Sequence, residues 1–422
     1  MEKLDPLYNA YKTLTIKQLS SISSTMRNDN TGTLSIDRVS TKGLELFPET
    51  NEILNQLQKI ETLMNQLDKM IAPAHSGGFL QVMKRAFIDK FIDRYIERYQ
   101  LEFDDRYFDE IFLELKNYIT GSAKYYYYAP VSNLEPEDED ITFGDCHIRK
   151  ASQKEHRDIF GNMGLEARLR PTPTKGYYII EHFRSNYVLN EMRSYLQERI
   201  EILNLFTKDL IQVPYVTCKL PLFYPVESSA SVEVINARSG VPMLGTLTKE
   251  DCARFIDFYN LLAKIQDSGR VMFAIKRYGY GRAARIIEDK AVDFVMALEA
   301  LLTNSDKEIA DKLSLRTAVL NRKEPSESLK IRNFMKKAYN VRSKIVHGDH
   351  GNLAKAINSI EDLNRQWPEQ LEEITRDSIV HVVNLLTVEG NLQSVGELLD
   401  EALIDPAKRE TIWNKSRVLS LD

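Results

Sequence analysis

The stretch LKIRNFMKKAYNVRSKIVHG, residues 329–348, decides how the second half of this chain is read. Ile331, Phe334, Ala338, Val341 and Ile345 recur at helical spacing, so the segment predicts an amphipathic helix with one face turned to a core. Gly348 closes it as a C-terminal cap, because a glycine just past the last turn adopts the left-handed conformation at no steric cost. The helix therefore ends on His347, in a position next to solvent. Arg342 lies five residues upstream on the same helix.

Working outward, three further helical segments flank this one. They are GRAARIIEDKAVDFVMALEALL (281–302), SDKEIADKLSLRTAVL (305–320) and SIEDLNRQWPEQLEEITRDSIVHVVNLL (359–386). Ser305, followed by Asp306 and Glu308, reads as a helix start. Four helices joined by short polar loops make a bundle the economical architecture. Upstream, KGYYIIEHF, VPYVTCKLPLFYPV and SVEVINA read as strands, as do the tyrosine run Tyr125–Tyr128 and ITFGDCHIRK. A helix of about 25 residues (186–210) interrupts them. Ile53, Leu57, Ile60, Met64, Leu67 and Ile71 paint a single helical stripe, and the helical style continues to about residue 119. The first 45 residues, rich in Ser, Thr, Asn and Asp, read as a loosely structured lead-in. The expected organisation is a mainly helical region 1–119, an α+β domain 120–268 and an all-α bundle 269–422.

The chain has 422 residues, a net charge of −5, 43% hydrophobic and 28% charged residues, which excludes collagenous, wholly disordered and disulfide-scaffold classes. Three cysteines without a CxxC pair suit reduced thiols, and the start MEKLDPLYNAYKTL lacks the apolar core of a secretory signal; a cytoplasmic protein is expected. No apolar run reaches membrane length, SIVHVVNLLTV being interrupted by His381 and Asn384. There is no GxxxxGK[ST], HExxH or GxSxG. Gly279-Tyr-Gly281-Arg-Ala-Ala284 fits a GxGxxA turn, but all-helical surroundings argue against a dinucleotide site. Cys146 and His147, with His156, make a poor metal site, because adjacent strand residues point to opposite faces. No metal and no cofactor are expected.

An arginine followed after four to six residues by a histidine resembles the motif of the HEPN superfamily of ribonucleases, which implies that the two side chains act together on a phosphodiester without metal. Three pairs have that spacing: Arg149 and His156, Arg342 and His347, Arg376 and His381. The first lies beside a strand end, and the third histidine sits in the apolar run IVHVVNLL, where a satisfied core imidazole is the commoner fate. Arg342 and His347 are the favoured pair. At about 100° per residue they stand about 140° apart on a regular helix, so joint action needs either a distorted last turn or a second chain. The helix C-terminus favours a protonated imidazole at His347. Glu299, in the apolar run VMALEALL, needs a buried partner, for which Arg316 and Arg342 are both suited. Residues 271–350 carry 16 Lys and Arg against 10 Asp and Glu, a net of +6, whereas 351–422 carry 7 against 13, a net of −6. A basic surface around the pair would attract phosphate.

DKAVDFVMALEALL (289–302), KLSLRTAVL (312–320) and KKAYNVRSKIVHGD (336–349), in that order, resemble the ApeA-like branch of the HEPN superfamily. IRKASQKE (148–155) is similar to a segment of the N-terminal parts of some members. The resemblance covers about residues 270–400. It implies an α+β N-terminal and middle region followed by an all-α HEPN helical bundle. It also implies a metal-independent endoribonuclease, of the toxin-like or antiphage kind, that leaves 2′,3′-cyclic phosphate and 5′-hydroxyl ends. Arg342 and His347 would be catalytic, with Ser343, Glu299 and Arg316 in support. RNA would be the substrate, the bundle would pair as a homodimer or higher oligomer, and the N-terminal region would sense a phage or nucleotide trigger. A catalytically silent HEPN module that binds RNA or scaffolds is the alternative.

Overall fold

The computed structural model describes residues 5–28, 103–120, 122–131, 134–137, 140–152, 177–184, 189–211, 215–219, 230–234, 245–266, 268–303 and 308–419, with a few single residues between them. The chain divides into two compact units. One comprises Met1–Tyr127, Phe183–Val188 and Cys218–Ser231; the other comprises Tyr128–His182, Leu189–Thr217 and Val232–Asp422.

In the first unit, helices α1 (Asp5–Asn28) and α2 (Asp105–Ile119) pack through aromatic edges, with Tyr8 5.3 Å from Phe108 and 5.0 Å from Phe112. Within the expected loose lead-in of residues 1–45, residues 5–28 form a helix of 24 residues. Its stripe of Leu7, Ala10, Tyr11 and Leu14 is buried, and the many hydroxyls that disguise it are accommodated inside the helix. Thr13, Thr15 and Ser20 donate to carbonyls four residues back. The expected helix over residues 53–71 lies outside the described residues.

Strands β1 (Tyr125–Val131), β3 (Asp140–Phe143), β4 (Cys146–Ala151), β5 (Tyr177–Arg184), β6 (Tyr215–Lys219) and β7 (Ala230–Val234) fall on the expected β segments, whereas β2 (Leu134–Pro136), at the edge of the acidic EPEDED segment read as a loop, and β8 (Gly245–Leu247) were not expected. Six of them form one sheet in the order β3-β4-β5-β1-β6-β7, with β3, β4 and β5 antiparallel, and β2 pairs with β8 in parallel. Of the tyrosine run, Tyr125, Tyr127 and Tyr128 are buried, so it is chiefly core packing. The helix predicted over 186–210 is α3 (Leu189–Leu203). Helix α4 (Lys249–Leu262) opens on a capping box in which Thr248 and Asp251 satisfy each other's backbone N–H groups.

The C-terminal region is helical, but with more and shorter helices than the four expected. It comprises α5 (Gly269–Ala283), α6 (Ile287–Leu302), α7 (Ile309–Asn321), α8 (Pro325–Val346), α9 (His350–Glu361), α10 (Trp367–Glu389), α11 (Leu392–Glu401) and α12 (Pro406–Ser416). The predicted first helix splits because Gly281–Ala283 ends α5, and Ala284 is extended at ψ 138°. The fourth splits after Asp362, and Pro368 then occupies the first turn of α10, where its missing N–H costs nothing. The GxGxxA motif is a packing device: a Cβ on Gly281 would lie 2.6 Å from the Phe294 ring, so glycine lets α5 and α6 approach. Ser305 lies outside the described residues, and α7 starts after Glu308 at φ +58°. Among the described residues no helix is long and apolar enough to cross a membrane.

Candidate functional site

Helix α8 carries Arg342 and Ser343 near its C-terminal end, and its buried face is formed by Ile331, Phe334, Met335, Ala338 and Val341. Ile345, expected on that face, is half-buried. The helix stays regular up to the histidine, since His347 N–H donates to the Ser343 carbonyl at 3.0 Å. Chain reversal begins only afterwards. Gly348, at φ +66°, donates to Ile345 O at 3.1 Å, and Asp349 donates to Lys344 O at 2.9 Å, the paired bonds of a Schellman cap. Of the two ways to bring Arg342 and His347 together, a distorted last turn is therefore absent. They remain on different sides of the helix end, about 140° apart.

Their environments differ accordingly. His347 is exposed. Arg342 is 19% exposed and its guanidinium meets the Glu299 carboxylate of α6 at 3.0 Å, a carboxylate itself 17% exposed. Tyr339, one turn back, places its ring 5.9 Å from the guanidinium carbon. Arg342 Nε is buried without a hydrogen-bond partner, which leaves a donor whose desolvation of about 1–3 kcal/mol is not offset. Burial lifts the Glu299 carboxyl above its ordinary range, against the pull of Arg342. The pair thus stands in the costly regime where desolvation competes with attraction. Next to His347, Lys344 binds Asp349 at 2.7 Å, which with Asn352 holds that carboxyl below the ordinary range.

Arg316, the other suggested partner of Glu299, is engaged elsewhere. Its Nε and Nη2 bind both oxygens of Asp400 in α11 at 2.8 and 2.6 Å, and Nη1 donates to the Leu302 carbonyl at 2.6 Å. It clamps α7 to α11 and to the end of α6, a structural role that takes it out of the supporting set. The partner, Asp400, lies 84 residues downstream on an amphipathic helix, where spacing gave no signal. The basic excess is also partly consumed internally, by pairs such as Arg277 with Asp293, Lys336 with Asp311 and Arg282 with Glu372. Arg282 further donates to the Asn204 and Lys208 carbonyls beyond α3.

The other two pairs of the same type separate cleanly. His381 is 8% exposed inside α10, and burial, reinforced by the charges of Arg417 and Arg322, lowers its imidazole to about 3. Such a group cannot carry a proton near neutral pH. Arg149 in β4 binds Glu155 and Glu181 at 2.5 and 3.0 Å, whereas His156 lies outside the described residues.

A second cluster, not foreseen, forms at the β3–β4 turn. As alternation demands, Cys146 points inward and His147 outward, the latter 3.3 Å from Asp140. The neighbouring strand supplies a different histidine: His147 faces Glu181 in the β4–β5 register, which puts Cys146 opposite His182. Asp145, in the turn, brings its carboxylate to the same place, and one ligand atom from each of the three residues lies within 4.8 Å of the others. Burial pushes the Cys146 thiol up to about 12, with the Asp145 charge adding to the effect. A separate cavity of about 300 Å³ between α3 and α5, lined by residues including Glu198, Glu201, Phe273 and Lys276, takes in neither cluster.

Compared with protein-family models, curated proteins and solved structures, the chain gives no match.

Proposed function

We propose that the chain is a metal-independent endoribonuclease of the HEPN type, with Arg342 and His347 as its catalytic residues. One observation carries the reading: a regular helix ends on an exposed His347 while Arg342, one turn earlier, is oriented by the Glu299 carboxylate. His347 takes the proton from the ribose 2′-hydroxyl or hands one to the departing 5′-oxygen. Arg342, with up to five N–H donors and one carboxylate contact, keeps donors for the scissile phosphate and stabilises the charge that builds on it during in-line attack. The products are a 2′,3′-cyclic phosphate and a 5′-hydroxyl end. Ser343, beside Arg342, either donates to a phosphate oxygen or serves only as a cap.

Because the helix is regular through His347, the two groups reach one phosphate through pairing of two copies, each helix end facing the other. This gives the two proton transfers two histidines. The resemblance adds the expectation of an antiphage or toxin-like role, with the preceding residues restraining the nuclease until a trigger binds. A second reading, a catalytically silent RNA-binding or scaffolding bundle, is favoured by the burial of Arg342, 19% exposed with its Nε sealed from solvent.

End-group analysis of RNA incubated with wild type, Arg342→Ala and His347→Ala, with and without EDTA, tests the proposal. Cyclic phosphate ends that persist in EDTA and vanish in both variants support it. RNA binding without cleavage in all three proteins selects the silent module.

A further inference from the structure

We propose that Asp145, Cys146 and His182 form a zinc site that staples the β3–β4 turn to strand β5. The argument starts from register. Phe143 pairs with Cys146 across the β3–β4 hairpin, leaving Gly144 and Asp145 as its two-residue turn, and the β4–β5 register sets His182 directly across from Cys146. Directly opposed residues project to the same face with Cβ atoms about 4.5–5.5 Å apart, so a thiol and an imidazole are delivered side by side. Both are buried. The turn adds the Asp145 carboxylate, whose side chain is 50% exposed and supplies the entry from solvent.

Sulfur, nitrogen and carboxylate oxygen are the donor types zinc takes, at bond lengths of about 2.0–2.3 Å, which puts ligand atoms of a tetrahedron roughly 3.3–3.6 Å apart. Cys146 Sγ already stands 3.8 Å from Asp145 Oδ1, and the three ligand atoms fit within 4.8 Å. A small rotation of the half-exposed carboxylate closes the set. Supporting contacts match those that orient metal ligands. His182 Nδ1 lies 2.9 Å from the Asp145 carbonyl oxygen and 3.8 Å from the Asp145 carboxylate, which fixes the ring against the turn, and the Tyr195 hydroxyl donates to the same carboxylate. Arg199, its guanidinium 3.4 Å above the Tyr195 ring and bound to Glu198 at 3.3 Å, adds a nearby positive charge that favours the ionised forms of Asp145 and Cys146. With a thiolate, a carboxylate and a neutral imidazole on the dication, the assembly is neutral. This site is independent of the Arg342 and His347 chemistry, and its readout is metal content and spectrum, not cleavage.

The full-length chain, produced with zinc and freed of loose metal by gel filtration, is expected to hold about one zinc ion per chain, falling about tenfold or more in Cys146→Ser and His182→Gln. Asp145→Asn, at a half-exposed turn position, tests the site without disturbing the core and is expected to weaken zinc binding by about tenfold or more. Cobalt(II) loaded into the wild-type protein should give a thiolate-to-cobalt charge-transfer band that Cys146→Ser lacks. Zinc content far below one per chain in the wild type, content unchanged in the variants, or a cobalt spectrum without thiolate character would each overturn the proposal.

Discussion

Arg342 with His347 and Arg376 with His381 have the same spacing on two helices of one bundle, yet they meet opposite fates. The first histidine stands at a helix end, where Gly348 turns the chain away and leaves the imidazole exposed. The second stands in the middle of α10 between Val380 and Val382, and its arginine lies 3.3 Å from the adjacent Asp377. Burial of an imidazole penalises its charged form, and two nearby arginines deepen the penalty. Only the exposed imidazole retains the freedom to exchange protons with a substrate, so environment, not spacing, separates a candidate catalyst from a core residue.

The largest expected effect would break this contrast outright. His347→Ala should lower RNA cleavage by about 10²–10⁴-fold in single-turnover assays with little change in melting temperature. His381→Ala should do the reverse, losing about 2–3 kcal/mol of stability in urea unfolding while the folded fraction keeps its cleavage rate. Cleavage lost only in the His381 variant would transfer the proposal to the other pair.

Acid sharpens the same contrast. The folded imidazole of His381 titrates near 3 against about 6.5 when unfolded. Its neutral form contributes stability that is fully present above the unfolded value and is lost as pH falls from about 6.5 toward 3, at up to about 1.4 kcal/mol per pH unit. Chemical denaturation across that window should show a slope that His381→Leu flattens.

The clamp at Arg316 gives the next effect. Arg316→Ala removes the hydrogen bonds to Asp400 and the Leu302 carbonyl while Asp400, 46% exposed, is re-solvated, and should cost about 1–3 kcal/mol, with cleavage per folded molecule unchanged. Gly348→Ala comes last: a methyl group meets open space, but φ +66° strains it, so a loss of about 1 kcal/mol is expected. That variant reports whether the cap which ends α8 at His347 also controls cleavage.

Much of the fold was legible because it follows local periodicity. The stripe of Ile331, Phe334, Ala338 and Val341 predicts α8, Gly348 predicts its end, and strand alternation predicts that Cys146 and His147 diverge. Helix α1 was hidden because its serines and threonines satisfy their hydroxyls on the helix's own carbonyls, which no composition shows. The splitting of the first predicted C-terminal helix escaped periodicity because Ala284 is a good helix former, yet it is extended at ψ 138°.

By itself the sequence determined the position of Arg342 and His347 on one helix, their angular separation and the need of Glu299 for a cation. Tertiary structure alone decided that Glu299 takes Arg342 while Arg316 takes Asp400, that His381 is sealed, and that Cys146 finds His182 in place of His147. The reason is range: backbone periodicity and capping act within a few residues, whereas partner choice for a buried charge or a thiol depends on which distant elements packing brings within a few ångströms.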